Sequence, residues 1–145
     1  MIENERQYRI TKAWVERFSQ SAQQVALGGE VTDPLIQAAL IAQYTSQVEE
    51  LQGELDAYEA LRSGQVASID VDSLIALPNA LIRARIAAGL TQKELAARIG
   101  VKEQQIQRYE ATRYAGVSLE RAQAILDALG VRIREHLTLP TSEAS

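Results

Sequence analysis

TQKELAARIGVKEQQIQRYEATRYAG, residues 91–116, decides how this chain folds. Thr91 precedes an amphipathic run, and Glu94 follows three residues later, the reciprocal capping pattern that opens a helix. Leu95, Ala96 and Ile99 form its inner side. Gly100 supplies a position that tolerates positive φ, and Val101 plugs the turn. A second short helix follows from about Lys102 to Glu110. With Ile106 centred on its buried face and about 100° per residue, Tyr109, Glu110 and Lys102 lie within about 60° of Ile106. Gln104 and Arg108 fall near 160° and 200°, directly opposite, and Gln105 and Gln107 flank them at about 100° on either side. A merely solvated face would more naturally use Glu and Lys pairs. This cluster of amides and a guanidinium is suited to reading hydrogen-bond patterns.

The same rhythm extends on both sides. Pro78 starts a helix that Gly89 ends, with Leu81, Ile82 and Ile86 on its apolar face. Another, from Ser118 to Leu129, turns Leu119, Ala122, Ile125, Leu126 and Leu129 inward, and Gly130 stops it. A capped helix, a glycine turn and a second short helix form a helix-turn-helix pattern. Charge sharpens this reading. The net charge is −4, yet residues 1–66 hold five Lys/Arg against ten Asp/Glu, whereas residues 78–134 hold ten against five. A segment of +5 beside one of −5 is the local footprint that nucleic-acid phosphates select.

The run GLTQKELAARIGVKEQQIQRYE resembles the helix-turn-helix of the Xre/Cro/C1 repressor family. Leu90-Thr91-Gln92, Glu94-Leu95-Ala96, Gly100, Ile106, Arg108 and Glu110 carry the likeness, which covers about residues 78–130. It implies a lambda-repressor-like DNA-binding domain and a two-fold dimer on a palindromic operator. Gln104, Arg108, Gln107 and Glu103 then face base edges: Gln pairs with adenine, Arg with guanine, and Glu103 either accepts from cytosine N4 or repels non-cognate sequence. Gln92 is expected to contact a phosphate and to brace a recognition-helix side chain. Lys93, Lys102 and Arg113 are further phosphate contacts by position, as is Arg83. Arg85 and Glu110 match a pair that in several family members forms a buried ion pair. Glu110 points inward on the wheel, and a buried carboxylate requires a partner.

Residues 1–65 read as a helical hairpin. Glu3 to Leu27 sets Ile10, Trp14, Phe18, Ala22 and Val25 near one face, and Gly28-Gly29 stops it. Thr32-Asp33-Pro34 restarts the chain with a cap and a proline at the first helical position. The second helix, Pro34 to about Arg62, spans roughly 40 Å. Ile41, Tyr44, Val48, Leu51, Leu55 and Tyr58 follow the alternating three- and four-residue spacing of a coiled-coil seam. A four-residue turn makes the antiparallel arrangement simplest. Residues 66–77 read as a linker in which Val66, Ile69 and Val71 form a short strand at 66–71. Val131, Ile133, Leu137 and Leu139 alternate with polar residues and suggest a second strand at 131–139. This closes a domain running from 78 to 139, and residues 140–145 form a tail. The expected class is mainly all-α, with one or two short strands.

Several functions are disfavoured. The chain has no cysteine and a single histidine, His136, so no disulfide, thiolate, metal site or nucleophile–base pair can be assembled from those residues. Asp70 and Asp72 read as solvated or capping. No glycine-rich phosphate loop appears, and no catalysis, metal or cofactor is expected. No apolar run nears the roughly 18 residues of a membrane helix. MIENERQYRITK lacks the apolar core of a signal peptide. A soluble cytoplasmic protein that binds double-stranded DNA is expected, with two roles open: a homodimeric repressor, or an antitoxin that covers a toxin with the N-terminal hairpin and represses its own operon.

Overall fold

The computed structural model describes residues 1–142. Its helices are α1 (Glu5–Ala26), α2 (Pro34–Arg62), α3 (Leu77–Ala87), α4 (Gln92–Ile99), α5 (Glu103–Ala111) and α6 (Leu119–Leu129), with one 3-10 turn at Leu74–Ala76. The starts are chemical. Asn4 Oδ1 accepts from the Gln7 amide at 2.9 Å, and Asp33 Oδ1 from the Leu35 amide at 2.9 Å. Thr91 Oγ1 accepts from the Glu94 amide at 3.1 Å and donates to the Glu94 carboxylate at 3.0 Å, which satisfies the first turn of α4. Gly100 closes α4 at φ 73°.

α1 and α2 form the antiparallel hairpin. The Tyr8 and Tyr58 rings meet near its root at 5.3 Å, and Phe18 and Tyr44 farther out at 6.1 Å. The α2 stripe turns toward α1 as its spacing predicts. The α1 face is shifted: Tyr8, Thr11, Val15, Phe18, Ala22 and Val25 are half-buried, while Ile10 and Trp14 stay 48% and 43% exposed. Steps of four residues drift about 40° per step around a helix, whereas alternating three and four hold one line. Ile10 and Trp14 therefore slide to the flank.

The expected strands at 66–71 and 131–139 are absent: no strand occurs among the described residues. No backbone hydrogen bond joins the two segments. Alternating side chains supply a pleat but not a partner, and a lone strand cannot persist without one. Val66 and Val131 pack against the core as anchors, and Ile133, Leu137 and Leu139 remain exposed. Of the expected tail, residues 143–145 lie outside the described residues. No single described helix is long and apolar enough to cross a membrane.

One core joins both parts of the chain. Leu55, Tyr58 and Leu61 at the root of α2 pack with Leu81 and Ile82 of α3, Leu95 of α4, Ile106 of α5 and Ile125 of α6. Ile2, ahead of α1, is 3% exposed in the same cluster. Burying such a side chain stabilises by roughly 1.5–3 kcal/mol.

Candidate nucleic-acid interface

Ile106 and Glu110 fix the orientation of α5 by facing inward, at 0% and 1% exposure. Glu103, Gln104, Gln105, Gln107 and Arg108 are all exposed. Gln105 Nε2 donates to Tyr109 Oη at 3.0 Å, and Gln107 Nε2 to Glu103 Oε1 at 3.4 Å. The outward side chains of Gln104 and Arg108 make no hydrogen bond within the described residues. Their donors and acceptors are open to an incoming ligand.

Beneath this surface lies a buried polar knot. Arg85 Nε donates to Glu110 Oε2 and Arg85 Nη2 to Glu110 Oε1, both at 2.8 Å. Arg85 Nη1 donates to the Leu90 carbonyl at 2.9 Å, and Nη2 also reaches the Glu3 carbonyl at 2.6 Å. Gln92 Nε2 adds a bond to Glu110 Oε1 at 3.2 Å. Planar bidentate pairing suits guanidinium and carboxylate. It ties α3, α4, α5 and the segment before α1 to one point under the exposed face.

The expected phosphate contacts divide. Lys93, in the first turn of α4, and Lys102, at the N-cap of α5, are exposed beside the α5 surface. Lys102 offers no side-chain cap, which leaves the first amides of α5 open to an anion. Gln92 is committed to Glu110. Arg113 is half exposed, but its guanidinium pairs with the Glu3 carboxylate. Arg83 is not brought to this surface. It lines a groove with Met1, Glu50, Glu54 and Tyr58, on the side of α3 that meets the hairpin.

A further cation belongs here. Arg108, Tyr109 and Thr112 at the end of α5 border a shallow concavity whose other bank is Gly116, Ser118 and Arg121. Ser118 Oγ accepts from the Arg121 amide at 3.1 Å and so fixes that first turn of α6. Arg121 shares this first turn with Glu120, whose charge suits the helix dipole while that of Arg121 opposes it. The chain reaches this bank through Arg113 and Tyr114, both left-handed at φ 52° and 57°. Each costs roughly 1–2 kcal/mol for a side-chain-bearing residue. Tyr114 is buried against Tyr109, its hydroxyl has no partner among the described residues, and burial pushes its ionisation well above the usual phenol range.

Residues 81–136 match a family model described as Helix-turn-helix, which supports the Xre/Cro/C1-type resemblance of this segment. No curated protein and no solved structure matches the chain.

Proposed function

We propose, from a helix-turn-helix at residues 81–136, that this protein is a sequence-specific, dimeric repressor that reads a palindromic operator in the major groove. One observation carries the reading: Gln104 and Arg108 project unpaired from α5 while the Arg85–Glu110 pair holds the helix from below. Gln104 and Arg108 read bases, assisted by Gln107 and Glu103. Lys93, Lys102 and Arg121 grip phosphates on either side of the groove. Gln92 acts through Glu110 as a brace. Arg113 contributes charge from its place beside Glu3, and Arg83 lies too close to the hairpin for that work. Selection of bound duplexes from a random pool tests this. Enrichment of a two-fold symmetric site is the expected result, and a pool without sequence preference would overturn the reading.

A second reading is an antitoxin, supported by the acidic flanks of α2 with Glu49, Glu50, Glu54, Asp56 and Glu59. Co-purification with a small basic protein encoded beside it would favour that role.

A further inference from the structure

α1 has 22 residues, yet none of them is buried. Its main packing partner among the described residues is α2, and a flank is left uncovered, whereas helices in folded proteins draw most of their stability from packing an apolar face. That flank has a defined composition. At about 100° per residue, Arg6, Ile10, Trp14, Arg17 and Ser21 lie within about 80° of one another, to one side of the seam with α2. Arg17 covers the Trp14 ring at 4.7 Å. In an antiparallel pair of right-handed helices this flank borders the α2 flank that carries Ile36, Gln43, Gln47, Glu50 and Glu54. Charge on this face is sorted accordingly: Arg6 and Arg17 lie along α1, and Glu50 and Glu54 along α2, the latter also paired with the Met1 ammonium at 3.2 Å, while Arg9, Lys12, Glu49, Asp56 and Glu59 turn to other sides of the hairpin. One broad face of the hairpin thus has a basic edge, an acidic edge and exposed Ile10, Trp14 and Ile36.

We infer that this face is the dimer interface, and that a second copy of the chain covers it to form a four-helix bundle. A two-fold axis along the hairpin sets the basic α1 edge of each copy against the acidic α2 edge of the other, an isologous and self-complementary match. A partner of one charge sign would match only one edge and meet repulsion at the other. The same axis sends both helix-turn-helix units to one end of the bundle, as a palindromic site requires. The inference deepens the dimeric-repressor reading and rests on it.

Trp14 is the only tryptophan, so its emission reports the interface directly. Sedimentation of the full chain is expected to show a dimer that dissociates on dilution, with Trp14 emission moving to the red in step. Arg17→Glu and Trp14→Ala are each expected to weaken the dimer about tenfold or more, with helicity by circular dichroism unchanged. Mixing Arg17→Glu with Glu50→Arg chains should restore a heterodimer, an outcome that misfolding cannot mimic. A monomer at micromolar concentration would overturn the inference. So would a dimer indifferent to all three substitutions, although that result would leave DNA reading through another interface intact. A chain that stays monomeric and yet binds a separate basic protein through the hairpin would overturn it as well. DNA reading is judged separately, because single half-site binding should survive Trp14→Ala and depend on Gln104 and Arg108.

Discussion

The carbonyl of Glu3 accepts a hydrogen bond from Nη2 of Arg85 at 2.6 Å, across 82 positions of chain. The neighbouring Ile2 side chain is seated in the helix-turn-helix core. Residues that precede the hairpin therefore complete the domain that follows it. Ile2→Ala is expected to lower stability by about 2–5 kcal/mol. Deleting residues 1–4 should cost more, because Arg85 also loses an acceptor. Urea unfolding of both variants tests this, and a midpoint unchanged from wild type would refute it.

Arg85 and Glu110 should behave as one unit. Either alanine substitution leaves a buried charge without its partner and is expected to cost about 3–5 kcal/mol. The double variant should lose clearly less than the sum, since it removes both charges together. Strictly additive thermal melts would count against the pair.

Base reading and phosphate gripping separate under salt. Gln104→Ala and Arg108→Ala should each cost about 1–3 kcal/mol on the preferred site and relax one position per half-site. Lys93→Ala and Arg121→Ala should weaken all duplexes alike and each reduce the salt slope by about 1. Titrations at several salt concentrations distinguish the two classes. A sequence-selective loss on Lys93→Ala would put α4, rather than α5, on the bases.

The orphaned hydroxyl of Tyr114 makes a removal that should do no harm. Phe keeps the ring and deletes a buried donor without a partner, so Tyr114→Phe is expected to be neutral or stabilising by up to about 1–3 kcal/mol. The alkaline limb provides a second check. Burial raises the Tyr114 hydroxyl above the ordinary phenol value of about 10, so its neutral form supports folding fully below that pH and the support fades as pH rises beyond it. The Phe variant should lose stability less steeply on that limb. An identical slope would mean that the phenol is not buried in solution.

Local chemistry made the helix-turn-helix legible. Thr91, Glu94, Gly100 and Ile106 each act within a turn or two of their own position, and the inward and outward faces of α5 follow from helical geometry. Where the outcome depends on distant chain, the reading ran short. The alternation of Val131–Leu139 could not reveal that no ladder awaited it. The spacing of Ile10 and Trp14 suggested a seam that Tyr8, Thr11 and Val15 occupy instead. Nothing in the aperiodic stretch Ile2–Asn4 announces that the Glu3 carboxylate pairs with Arg113.

Glu3 serves two masters: its carbonyl holds Arg85 beneath α5, and its carboxylate holds Arg113 just beyond the end of α5. Any ligand of the hairpin that displaces this residue changes the free energy of duplex binding. Thermodynamic reciprocity then requires the duplex to change that ligand's affinity by the same factor. Duplex occupancy and hairpin occupancy would become two readings of a single equilibrium, and titrating either one in the presence of the other would measure the whole of it.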